Sequence, residues 1–205
     1  MVDNLVENKL DYNSRVLKNL HMGVIMDKPQ SNMGFKLMSF GYRFRDLRLP
    51  RMSILKEAEI RPGFSVLDFG SGPGGYIRPT AELVGESGRI YALDISPLAI
   101  QQAREIAVKR RLENLETIQS DCKTGLPDDS IDVILLYDTF HHLSDANRIL
   151  RELHRVLKSK GVLSFNDHHM REDEIISGVT SGGLFELIKK WERTYSFAKV
   201  GGVRK

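Results

Sequence analysis

A strand-like run from Phe64 to Phe69 breaks into a turn with glycine at positions 70, 72, 74 and 75. Nothing else in the chain limits its fold as tightly. Glycine-rich backbone at the end of an apolar strand lets the main chain approach a ligand with no side chain between. An ordinary turn that needs positive φ angles would not use four glycines in six positions, with Asp68 two residues before the first. Gly70-x-Gly72-x-x-Gly75 satisfies the spacing of a dinucleotide cradle, in which a pyrophosphate rests on a helix N-terminus. Asp68 argues against that ligand. A carboxylate beside a pyrophosphate adds like-charge repulsion in a partly desolvated site, and suits a ligand carrying an ammonium and a sulfonium.

The segments after the turn alternate between strand and helix, as in an open parallel sheet. Arg89 to Asp94 is a strand ending in an acid, and Ser96-Pro97 supplies an N-cap and a first-turn proline for a helix reaching Arg111. Leu115 to Ser120 is a third strand. Ile131 to Tyr137 is almost continuously apolar, the mark of a central strand buried on both faces. A helix with Ile149, Leu150, Leu153, Val156 and Leu157 on one face then leads to a fifth strand, Gly161 to Asn166. A short helix (Glu174 to Val179) precedes two final strands, Leu184 to Trp191 and Tyr195 to Val200, joined by a turn at Arg193-Thr194. A terminal hairpin is foreign to a dinucleotide dehydrogenase, which continues with parallel units.

At 205 residues the chain fits one domain with a small N-terminal extension. No apolar run approaches the roughly 20 residues of a membrane span, and no signal-peptide core follows Met1. The lone Cys122 excludes an internal disulfide and fits a reducing, cytoplasmic setting. A net charge of +3 is too mild to imply nucleic acid. Residues 1–51 have no convincing strand but carry Met33, Phe35, Met38 and Phe40, and the expectation is a helical lid. Arg43, Arg45, Arg48 and Arg51 are either a solvated face or an anion site for a substrate carboxylate or phosphate.

Val66 to Gly74, VLDFGSGPG, resembles the first motif of class I S-adenosylmethionine-dependent methyltransferases. FHHLSD (Phe140 to Asp145) and LHRVLKSKG (Leu153 to Gly161) resemble the ubiquinone/menaquinone-biosynthesis, small-molecule type. That family usually has Pro-Gly-Gly where this chain has Ser159-Lys160-Gly161, and a changed turn is expected there. The resemblance covers roughly residues 52–200. It implies a Rossmann-like, doubly wound seven-stranded α/β sheet with the last strand antiparallel. It also implies a cofactor site at Asp68, Gly70, Ser71, Gly72, Gly74, Asp94, Ile95, Asp121, Cys122 and Tyr137. Asp94 would take the ribose hydroxyls and Asp121 the adenine amine. Cys122 would be a neighbour at the adenine pocket and not a nucleophile.

Four of the six histidines, His141, His142, His168 and His169, follow the fourth and fifth strands. Each can be a capping or packing residue. One can instead be a general base, since imidazole titrates near pH 6.5, and His142 and His141 rank first. A metal held by both pairs with Asp138 and Asp167 matches no known ligand spacing, and no metal is expected. The expected activity is methyl transfer from S-adenosylmethionine to an O, N, S or C nucleophile of a small molecule, anionic if the arginines bind it. A homodimer is compatible with this. Membrane and nucleic-acid partners are not expected. The rivals are a non-catalytic S-adenosylmethionine-binding subunit and an NAD-dependent oxidoreductase.

Overall fold

The computed structural model describes residues 51–201. The expected lid, residues 1–51, lies outside them except for Arg51. Seven strands form one sheet in the order β3-β2-β1-β4-β5-β7-β6. The strands are β1 (Ser65–Phe69), β2 (Arg89–Asp94), β3 (Leu115–Gln119), β4 (Ile131–Tyr137), β5 (Leu157–Asn166), β6 (Phe185–Lys190) and β7 (Tyr195–Lys199). β1 pairs in parallel with both β2 and β4, β5 continues the parallel set, and β7 lies antiparallel between β5 and β6. This is the expected architecture.

The central strands are apolar because both of their faces are covered. Along β4, Ile134 and Leu136 enter a core with Leu67, Phe69, Leu153 and Phe165, while Val133, Leu135 and Tyr137 enter another with Leu55, Val66 and Tyr76. The helices that cover these faces are α1 (Arg51–Glu57), α2 (Ile77–Val84), α3 (Pro97–Arg110), α4 (Ala146–Val156) and α5 (Glu172–Thr180). A short 3-10 turn, Phe140–His142, follows β4.

The start of β5 differs most from expectation. Leu157 does not close the helix before it; its backbone is extended and it opens β5, paired with Ile131. From there the register shifts, so that Val162 faces Val133, and the irregular stretch contains Ser159-Lys160-Gly161. Lys158 is held there by both oxygens of Asp132, at 2.8 Å each. The unusual turn sequence is therefore a bulge within the sheet. α1 ends at Glu57, and Glu59 beyond it takes a left-handed conformation (φ 54°).

The hairpin tip is fastened to α1. Glu57 Oε2 accepts from Arg193 N (3.2 Å) and Thr194 Oγ1 (2.9 Å), and Arg193 Nη1 donates to Ser53 Oγ (2.7 Å). Asn166, the last residue of β5, donates its side-chain amide to the Arg193 carbonyl. The reversal of strand order between β1 and β4 opens a crevice beyond the carboxyl ends of the strands, where open α/β sheets bind ligands.

Candidate functional site

The glycine turn sits at that reversal, and its amide bonding decides what it can hold. Gly70 N and Ser71 N both donate to Leu93 O (2.8 and 2.9 Å), and Gly74 N donates to Ser71 O (3.0 Å). Gly72 N donates to Asp94 Oδ2 at 2.8 Å. A pyrophosphate cradle needs such groups pointed at the ligand. Here they are bonded within the protein, and two carboxylates flank the turn. Both features count against the dinucleotide alternative.

The glycines have separate reasons. Gly70 (φ +81°) lies so close to the segment after β4 that a Cβ would come within 2.7 Å of the Thr139 methyl carbon. Around Gly72 (φ +50°) a Cβ would meet nothing nearer than the Gly70 carbonyl at 4.0 Å, leaving open space beside the turn. Gly74, expected at the cofactor, is tightly packed: a Cβ there would lie 2.7 Å from Ile106 Cδ1 and 2.9 Å from Ile77 Cδ1. Gly75 is crowded by the Arg51 guanidinium.

Asp68 is the most telling residue. Only 4% exposed, it has a buried Oδ2 that no hydrogen bond satisfies. Burial pushes its pKa up to about 7, opposed by the Arg51 charge and reinforced by Asp94. A buried, unsatisfied carboxyl is costly unless a ligand completes it. Arg51 stacks over the Tyr76 ring, 4.6 Å from its centroid, so this member of the arginine cluster is not a solvated face.

Asp94 ends β2, and its Oδ1 accepts from Ser96 N (2.8 Å) while Oδ2 holds Gly72 N. Burial raises its pKa, and the backbone hydrogen bonds from Ser96, Gly72 and Ile95 pull it back. Each carboxylate oxygen keeps acceptor capacity for a further donor. Ile95 and Asp121 line the adjoining cleft together with Asp94, Gly70 and Leu143. Asp121 is half exposed and paired with Arg148 at 3.2 Å. Ser71 and Ser96 add buried hydroxyls with no hydrogen-bond partner. Ser96 was expected only as a helix cap, but its side chain makes no capping bond. A serine at a helix start gives no sequence signal of this.

Two expected residues are placed differently. Cys122 is buried in the core, with its Sγ 3.8 Å from the Arg148 carbonyl. Burial raises the pKa of this thiol, outweighing the opposing pull of the nearby Arg148 charge. Tyr137 packs edge-on against Tyr76 (centroids 5.0 Å), and its hydroxyl shares a 2.7 Å hydrogen bond with Ser164. Its side chain belongs to the core, and only its backbone reaches the crevice segment, through a bond from Thr139 Oγ1 to Tyr137 O (2.9 Å).

The four histidines do come together. Ring centroids lie 3.8 Å apart for His141–His142, 4.4 Å for His141–His169 and 3.9 Å for His168–His169. Burial, then the neighbouring His141, lowers the pKa of His142 to about 4, and burial also lowers that of His169. Among the described residues, no three His, Cys, Asp or Glu side chains are placed to hold a metal ion.

Residues 60–202 match a family model described as a methyltransferase domain. The chain belongs to that family. The methyltransferase is 30% identical over 154 residues to the ubiquinone/menaquinone biosynthesis C-methyltransferase of Pseudoalteromonas translucida, covering 74% of this chain and 60% of that protein. It is 35% identical over 104 residues to the aklanonic acid methyltransferase of a Streptomyces species, covering 50% of this chain and 47% of that one. The chain thus spans about half to three-fifths of the length of these two relatives. Among solved structures it resembles a SAM-dependent methyltransferase from Aquifex aeolicus, with a TM-score of 0.64 and 27% identity over 77% of this chain and 95% of that one. Family and sheet order together make this a class I S-adenosylmethionine-dependent methyltransferase. The residues fit that cofactor: Asp68 presents an unsatisfied carboxyl for an ammonium, and Asp94 keeps acceptor capacity for ribose hydroxyls. No helix among the described residues is long and apolar enough to cross a membrane.

Proposed function

We propose that this methyltransferase moves a methyl group from S-adenosylmethionine to a nucleophilic atom of a small molecule. One observation carries the proposal: the buried, unsatisfied Asp68 carboxyl below a turn whose Gly70, Ser71, Gly72 and Gly74 amides are already bonded. That combination suits a ligand with a cationic head and rejects one with a pyrophosphate. Asp68 would take the amino-acid end of the cofactor, the open space beside Gly72 its sulfonium side, and Asp94 its ribose. Ile95 and Asp121 would border the adenine. When bound, the cofactor supplies an activated methyl group. The chain's own work is then to hold donor and acceptor in line and to keep water out.

The acceptor would lie on the side of the histidines, next to the Thr139 segment that touches Gly70, and His142 or His141 would receive its proton. Names of the matched relatives, a quinone-pathway enzyme and an aklanonic acid methyltransferase, support a small-molecule acceptor. An anionic acceptor bound by the arginines and assembly as a homodimer belong to the same proposal. Arg43, Arg45 and Arg48 lie outside the described residues.

Thermal unfolding with S-adenosylmethionine, S-adenosylhomocysteine and NAD tests the cofactor half, because a ligand that binds only the folded state raises the midpoint. A rise with both adenosyl ligands and none with NAD is expected; the reverse would refute the proposal. Release of S-adenosylhomocysteine across a panel of hydroxyl, amine, thiol and carbon-acid acceptors tests transfer itself.

A further inference from the structure

The two histidine pairs are gripped crosswise by two aspartates. Asp138, just past β4, accepts from His168 N (3.3 Å) and lies 2.5 Å from His168 Nδ1. Asp167, just past β5, is 3% exposed and does the reverse. Its Oδ2 accepts from His141 N (3.2 Å) and lies 2.7 Å from His141 Nδ1, while its Oδ1 accepts from His169 N (3.1 Å). Each strand end therefore clamps the loop of its neighbour.

The chemistry of the clamp is directional. An ionised carboxylate can only accept, so the hydrogen of a neutral His141 ring must sit on Nδ1. The lone pair is then on Nε2. Free imidazole has no such constraint, and the carboxylate removes the choice of tautomer. His142 has no comparable carboxylate bond among the described residues, and burial beside His141 makes it hard to protonate. The two rings ranked together from sequence are thus unlike in kind. Thr139, two residues before His141, is in contact range of the glycine turn, which puts the dyad at the edge of the cofactor crevice.

We infer that His141 is the ring that takes the acceptor's proton, at Nε2, and that Asp167 is the positioning residue that fixes its tautomer and orientation. This rests on the methyl-transfer reading. The acceptor atom would gain the methyl group as the donor's methyl–sulfur bond breaks with its electron pair left on sulfur; the acceptor's bond to hydrogen breaks and that proton passes to His141 Nε2. Asp167 stays ionised and stabilises the resulting imidazolium, as the buried aspartate of a hydrolase triad does. The groups around His141 are His142 on its own segment, Asp138 before it, and Asp167, His168 and His169 from the end of β5. The second dyad, with His168 more than half exposed, holds the far side of the cluster against solvent.

Side-chain nitrogen NMR of the whole protein at pH 7.5 reads the tautomers without any acceptor. The wild type should show His141 with hydrogen on Nδ1 and a bare Nε2. Asp167→Ala should move His141 toward the Nε2-protonated form, whereas Asp138→Asn should leave His141 as it was. Titration with S-adenosylhomocysteine checks that each variant still binds. On any acceptor methylated in the panel, His141→Gln should slow transfer by about 100-fold or more, the usual scale of a general base. His142→Gln should cost less than tenfold. An Nε2-protonated His141 in the wild type, an unchanged tautomer in Asp167→Ala, or equal losses from the two histidine variants would overturn the assignment. Failure to bind S-adenosylhomocysteine would strike the methyl-transfer reading instead and leave the tautomer result standing.

Discussion

Asp94 does more than its spacing from the glycines suggests, because its two oxygens hold two different loops. One fixes the Gly72 amide and the other opens α3 through Ser96 N. Asp94→Ala should weaken S-adenosylhomocysteine binding by about 2–4 kcal/mol, since hydrogen bonds to a charged group are lost. Titration calorimetry measures this, and unchanged affinity would remove Asp94 from the site. Its acidic identity at a strand end was legible in the sequence. Its grip on Gly72 was not, since that bond closes over 22 residues and depends on the β1–β2 pairing. Asp68 was legible as a carboxylate out of place, but only the folded core shows that it is buried and unsatisfied. Its folded pKa of about 7 lies above the unfolded value of 3.8, so the folded state binds the proton more tightly. Stability should then fall as pH rises from about 4 to about 7 and level off above. Asp68→Asn should flatten that decline and raise the melting temperature of the ligand-free protein at pH 7.5, while losing the stabilisation by S-adenosylhomocysteine. Melting curves across this pH range give both results. Tyr137 marks the limit of motif reading, because a tyrosine next to a site looks the same whether its side chain touches ligand or core.

At the scale of elements, strands were easier to place than their ends. β4 declared itself by an unbroken apolar run, whereas β5 begins four residues before Gly161, in Lys-Ser-Lys sequence that has the look of a turn. The bulge that absorbs those residues is held by Lys158 on Asp132, a contact between strands that no local pattern encodes. The bond between α1 and the hairpin tip is of the same kind. Glu57 meets Arg193 and the fully buried Thr194 across more than 130 residues of chain. Glu57→Ala should cost about 2 kcal/mol, two hydrogen bonds at roughly 1 kcal/mol each. For a domain of this size that lowers the melting temperature by about 4–8 °C. Because α1 also carries Arg51 over Tyr76, the same variant should weaken S-adenosylhomocysteine binding several-fold. A lowered melting temperature with full affinity would show that the tip and the crevice are independent.

Across the whole molecule, the fold was legible because every level of the sequence agrees: buried strands, alternating helices and a closing hairpin all specify one sheet order. The histidine cluster was legible only in part. Its two pairs could be assigned to neighbouring strand ends, but the crossed aspartates and the different environments of His141 and His142 arise from how those ends pack. One further consequence follows from the protonated carboxyl below the glycine turn. A ligand whose ammonium settles against Asp68 must drive off the hydrogen that the empty protein holds there. Loading is therefore an acid-releasing event below about pH 7. The heat of S-adenosylhomocysteine binding at pH 6 should change with the ionisation enthalpy of the buffer, and affinity should decline toward lower pH by up to about tenfold per unit. In Asp68→Asn both dependences should vanish, leaving a site that no longer exchanges a proton for its ligand.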